Sequence, residues 1–265
     1  MLDLQFMNSS AIIIYSFFRL KVGAGDGDNM SDSYVGYLGG AKNIVFLGEA
    51  GSGKTETSVN LALGLAREGV RKVHFFDMDQ TKPLFRARDC EDELEREGVV
   101  FHFQSQYLDA PTVASGVIET LLDAESTVLM DVGGGSHGSH MIGQFSHVLN
   151  RDDARVLYIV NPYRPWSRSL SDIEATVGRV AGAARLSKLH LVANPNLGPD
   201  TTAQDVVEGL ERFKALFPEE KPDFVCVLDR LCAEVAELVR EPILPIRLNT
   251  LPEWLGGSGE VDTHK

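Results

Sequence analysis

The sequence is poor in cysteine and in positive charge, and it lacks an apolar run of membrane-spanning length. Three cysteines in 265 residues, Cys90, Cys226 and Cys232, are too few for a disulfide scaffold, so a reduced, cytoplasmic setting is expected. Lysine and arginine total 25 against 38 aspartates and glutamates, a net charge of −13. Such a field repels nucleic acid and anionic lipid, and no nucleic-acid partner is expected. The apolar stretch AIIIYSFFRL, residues 11–20, is about half of the ~20 residues a bilayer requires. It has no polybasic companion, so a stable membrane anchor is not expected either. The segment before it carries only Asp3, which is unlike the positive start of a secretory signal, and the Gly/Asp-rich VGAGDGDN after it reads as linker. An ordinary-looking start opens at Met30. Residues 1–41 are therefore expected to form an N-terminal extension, disordered or mis-annotated ahead of Met30. Residues 42–255 are expected to form one domain, and the Gly-rich 256–265 a flexible tail.

What the chain does have is alternation. Short β-branched runs occur at 43–47, 72–76, 99–103, 127–131, 155–160, 189–193, 223–228 and 243–246. Several are continuously apolar, the pattern of parallel strands buried on both faces. Helical periodicity fills most gaps, at 55–68, 112–123, 139–149, 169–182, 203–216 and 230–240. The predicted fold is α/β: a doubly wound, mostly parallel sheet of about eight strands flanked by helices.

The stretch GEAGSGKT, Gly48, Glu49, Ala50, Gly51, Ser52, Gly53, Lys54 and Thr55, satisfies G-x-x-x-x-G-K-[ST]. A predicted strand enters it and a predicted helix leaves it through Glu56. Glycines let the backbone curl so that N–H groups and the helix N-terminus face a phosphate. Lys54 would reach the β- and γ-phosphates, and the Thr55 hydroxyl would bind Mg²⁺. The run STVLMD ends in Asp131, the strand-end position of a Walker B carboxylate on Mg²⁺, followed by Val132 and the flexible Gly133-Gly134. The run KVHFF ends in Asp77-Met78-Asp79, with Asp79 the candidate to align the attacking water. A turn or helix cap is the plainer role for Asp131 and Asp79. Lys82, Arg86 and Arg88 follow as candidate cations for transition-state charge.

These motifs together resemble the MinD/ParA-like nucleotide-binding domain family, which includes relatives of cobyrinic acid diamide synthase and dethiobiotin synthetase and several metal-insertion NTPases. The resemblance spans about 42–255 and implies nucleotide-bound homodimers as a working state; a further, unidentified protein partner is expected by elimination of nucleic acid and membrane. Glu49 stands where the family's loop carries an additional lysine, so the family's cross-dimer contact to phosphate is not implied. Asn194, in Asn194-Pro195-Asn196-Leu197, matches a family position at the purine edge, and a turn former is its plainer role. Leu197 occupies the place where a guanine-reading N-K-x-D motif needs Asp, which favours ATP over GTP. Asp229 is a weaker base-edge candidate. His137, His140 and His147, and the pair Cys226 and Cys232, lack metal-ligand spacing. The expected function is a Mg²⁺-dependent ATP-binding protein that hydrolyses ATP slowly as a nucleotide switch or maturation ATPase. The alternatives are an ATP-dependent synthase activating a small carboxylate through Arg164 and Arg168, and a GTP-driven metal-insertion NTPase.

Overall fold

A computed structural model describes residues 33–79, 86–103, 116–134 and 136–250, with the side chains of residues 136 and 137 left out. The expectations for residues 1–32 and 251–265, for Lys82 and for the His137 side chain lie outside the described residues. Eight strands form one sheet: β1 (Asn43–Leu47), β2 (Lys72–Met78), β3 (Val100–His102), β4 (Ser126–Val132), β5 (Ala154–Val160), β6 (His190–Ala193), β7 (Val225–Leu228) and β8 (Ile243–Ile246). Their order is β3-β2-β4-β1-β5-β6-β7-β8. Every recorded pairing is parallel. The described helices are α1 (Tyr34–Tyr37), α2 (Lys54–Glu68), α3 (Glu91–Arg96), α4 (Val117–Leu122), α5 (Ser136–Ile142), α6 (Ser146–Leu149), α7 (Leu170–Ala184), α8 (Ala203–Leu216) and α9 (Cys232–Ala236).

Alternation along a strand sends successive side chains to opposite faces, and both faces here are covered. Ile44 and Phe46 join one apolar cluster with Val59, Leu61 and Leu65 of α2 and Leu94 of α3. Val45 and Leu47 join the other, with Leu121 of α4, Ile142 of α5, Val177 of α7 and Phe213 of α8. The arrangement is the α/β fold of P-loop NTPases.

Two expectations need adjustment. The domain start at 42 leaves out Ser33–Ala41, which pack onto the body: Tyr37, Leu38 and Ala41 are buried. The Tyr37 hydroxyl donates to the Ile243 carbonyl at 2.6 Å, and Glu68 accepts from the Tyr34 amide at 2.6 Å. The helix expected over 139–149 is broken into α5, a 3₁₀ turn at Gly143–Phe145 and α6. At Gly143 a β-carbon would come within 2.9 Å of the Ala183 carbonyl of α7, so this turn is fixed by a close helix approach rather than by local propensity.

In an all-parallel sheet the carboxyl ends of the strands share one edge. Asp77 of β2 lies opposite Asp131 of β4, and Phe46 of β1 also pairs with Asp131. On the other side Leu47 pairs with Tyr158 of β5, and Val160 with Ala193 of β6. The chain leaves β1 for β2 on one side and reaches β5 on the other, so β1 lies where the winding reverses. Ligands of open α/β sheets bind in that crevice.

Candidate functional site

The loop Gly48–Gly53 leaves β1 and turns into α2. Gly48 and Gly53 take φ of +144° and +94°. A β-carbon at Gly48 would fall 2.7 Å from the Ile159 carbonyl, and one at Gly53 would fall 2.0 Å from the Asn194 amide nitrogen. Only glycine satisfies both the dihedral and the space at these two positions. The fold thus carries a tight, glycine-shaped loop at the N-terminus of a 15-residue helix, the geometry that attracts phosphate.

Lys54 is buried, with its Nζ donating to the Glu49 carbonyl at 2.9 Å across the loop. The Thr55 hydroxyl donates to Asp131 Oδ2 at 2.6 Å, and both residues are buried. A hydroxyl and a carboxylate converging in this way form the hard-oxygen pair that Mg²⁺ takes, so the residues present fit that ion. Asp79 is buried beside them: a β-carbon on Gly133 would lie 2.8 Å from its Oδ1, and one on Gly134 would lie 3.0 Å from the Ala50 amide. The carboxyl end of β4 therefore brings Gly134 against the loop, with Asp79 packed against Gly133.

Arg88 faces the β2 end rather than the loop. Its Nε donates to Asp77 Oδ2 at 2.8 Å and its guanidinium to the Asp79 carbonyl at 2.7 Å. Asp77 Oδ1 accepts from the Asp79 amide at 3.0 Å. Burial pushes the Asp77 carboxyl above the ordinary range, with Arg88 pulling the other way. Arg86 pairs with Asp89 at 2.9 Å. Glu49, at the position of the family's lysine, accepts from Arg179 of α7 at 2.6 Å.

Beside the loop lies a cavity of about 320 Å³, lined by Gly53, Lys54 and Thr55 together with Asn161, Asn194, Ile246 and Leu248. The buried Asn194 donates to the Ser52 carbonyl at 2.7 Å, holding the β6 end to the loop from below. Asn161 donates to the Asn196 carbonyl at 2.8 Å and joins the β5 and β6 loops. Sequence reasoning passed over Asn161, although strand–Asn–Pro occurs at both 161–162 and 194–195. Arg164 Nε donates to the Gly51 carbonyl at 3.1 Å, at the mouth. Asp229 is elsewhere, paired with Arg247 at 3.2 Å and lining a separate cavity.

No family model matches the chain, and no curated protein matches it. Among solved structures, the signal recognition particle receptor FtsY from Elizabethkingia anophelis in complex with GDP is 21% identical. That match covers 77% of this chain and 60% of that one at a TM-score of 0.45, so the chain spans about three fifths of its length. The cell division protein FtsY of Thermotoga maritima is 17% identical, covering 82% of this chain and 68% of that one at a TM-score of 0.48. A nucleotide-binding protein in complex with ADP from Archaeoglobus fulgidus is 17% identical, covering 89% of this chain and all of that one at 0.45. Likenesses of this degree say nothing of activity.

Of the two candidate cysteines, Cys226 is buried with its Sγ 3.5 Å from the Thr57 hydroxyl, and Cys232 is half-buried. Burial pushes the Cys226 thiol up to about 12 and the Cys232 thiol to about 11. These are the properties of packing residues rather than of reactive thiolates. Among the described residues no three His, Cys, Asp or Glu side chains gather as a metal-binding group, and no helix is long and apolar enough to cross a membrane.

Proposed function

We propose that the chain is a Mg²⁺-dependent P-loop nucleotidase with ATP as its nucleotide, acting as a slow switch of the MinD/ParA-like kind in the cytoplasm. The observation that carries this reading is the 2.6 Å contact between Thr55 and Asp131 beside a buried Lys54. The amides of Gly51–Thr55 and the Lys54 ammonium would hold the phosphates, and charge stabilisation by positioned donors would supply the catalysis. Mg²⁺, held through Thr55 and Asp131, would neutralise charge on the phosphate oxygens. Asp79 would accept a hydrogen bond from the attacking water and fix its line of approach.

ATP is favoured over GTP by the chemistry of the cavity wall. Guanine recognition uses a carboxylate that accepts from N1–H and N2–H₂. Among the described lining residues the carboxylate is Glu56, whose two oxygens are occupied by backbone and Thr250 donors. Asn161 and Asn194 offer amides, which both donate and accept. A homodimer formed on nucleotide and a further protein partner belong to the same reading. Arg164 at the mouth favours a second one, a synthase that activates a small carboxylate and consumes ATP only when that acid is present.

Calorimetric titration with ATP and with GTP, each with and without Mg²⁺, tests the nucleotide. The expected result is Mg²⁺-strengthened ATP binding that exceeds GTP binding. Tighter GTP binding would overturn the base assignment and favour a GTP-driven role.

A further inference from the structure

The residue after Thr55 is a carboxylate, and its position calls for an explanation. Glu56 lies in the first turn of α2, where a negative charge suits the helix dipole but opposes the binding of phosphates a few ångströms away. Its acceptors are spent on the last described segment of the chain. Oε1 accepts from the Asn249 amide, and Oε2 accepts from the Thr250 amide at 3.2 Å and the Thr250 hydroxyl at 2.6 Å. One turn on, Asn60 closes a second clasp: its Nδ2 donates to the Arg247 carbonyl at 2.9 Å and its Oδ1 accepts from the Arg247 amide at 2.9 Å. Cys90 adds a donor to the Asn249 carbonyl at 3.4 Å.

The segment so held, residues 247–250, is a strap that leaves β8 and crosses the P-loop helix. Leu248 and Thr250 line the same 320 Å³ cavity as Gly53, Lys54 and Thr55. Leu248 packs against both apolar clusters and so ties that wall to the body. One side chain, immediately after the Lys54-Thr55 pair, therefore fixes the strap that lines the same cavity.

We infer that Glu56 is a positioning residue for nucleoside recognition, holding the Arg247–Thr250 strap as the nucleoside-side wall of the cavity without contributing to phosphate affinity. The inference rests on the P-loop reading above. It makes the two halves of the ligand separable. Loosening the strap weakens whatever the nucleoside contributes, whereas removing the carboxylate leaves a bare polyphosphate bound as well or better.

The full chain, titrated with ATP and with inorganic triphosphate in the presence of Mg²⁺, tests this, comparing wild type with Glu56→Ala and Thr250→Val. Glu56→Ala is expected to weaken ATP by roughly tenfold or more, the worth of one or two well-made contacts, with triphosphate affinity unchanged or tighter. Thr250→Val removes a single clasp bond with little change of shape and keeps the test open if Glu56→Ala does not fold. It is expected to weaken ATP by about threefold in the same selective way. Equal losses for the two ligands, or ATP affinity at the wild-type level in both folded variants, would overturn the inference. A wild-type chain that binds neither ligand would instead remove the P-loop reading beneath it.

Discussion

His102 sits on the edge strand β3 with its ring stacked on Phe76 at 4.2 Å and its Nε2 3.0 Å from Nδ1 of His74. Burial, then the neighbouring His74 and Lys72, pull its imidazole down to about 4. In the unfolded chain the same ring titrates near its ordinary value of ~6.5. The unfolded state therefore binds the proton first, and stability falls as pH drops from about 6.5 to the folded value of about 4. His74 is lowered too, chiefly by burial, and adds to the loss in the same direction. His102→Phe keeps the stack and removes one titration, so its urea midpoint is expected to depend less steeply on pH across that window. An unchanged slope would show that the acid loss arises elsewhere.

At the scale of elements, Arg88 joins the end of β2 to the 3₁₀ turn at Ala87–Cys90 that leads into α3. The sequence offered it as a cation for the phosphates, because an arginine a few residues past a strand-end Asp-x-Asp is locally indistinguishable from one that reaches the ligand. The structure spends it on Asp77 and the Asp79 carbonyl, with the Phe103 ring 5.1 Å from its guanidinium carbon. Arg88→Ala would leave the Asp77 carboxylate buried without its counter-charge, at a cost of about 3 kcal/mol, and Arg88→Lys would restore part of it. Chemical denaturation reads both values, and a loss within experimental scatter of zero would contradict the assignment.

Legibility follows the same scale. Helix α8 was readable to its ends because its signals are local: Thr202 and Asp205 form a reciprocal cap, and Val206, Leu210 and Phe213 recur on one buried stripe. The phosphate loop was readable for the same reason, with every defining residue inside eight positions of the sequence. The strap was not, since Glu56 and Thr250 stand 194 positions apart and only the sheet order brings them together. Nor was the break at Gly143, which is decided by the approach of α7.

Over the whole molecule, sheet order does the assembling. With β1 between β4 and β5, the loops carrying Lys54, Asp79, Asp131, Asn161 and Asn194 meet along one edge, although they span Gly48 to Gly198 in sequence. With a net charge of −13 the field of the whole chain opposes anions, so an anionic ligand at this edge would depend on local cations such as the buried Lys54 and the exposed Arg164. The most direct test of the account is phosphate release by the full chain with ATP and Mg²⁺, measured beside Lys54→Ala. Slow release is expected, reduced by about a hundredfold or more in the substituted chain, because a preorganised charge on the transferred group is removed. Release that persists unchanged in Lys54→Ala would contradict it, because the hydrolysis would then come from somewhere other than this loop.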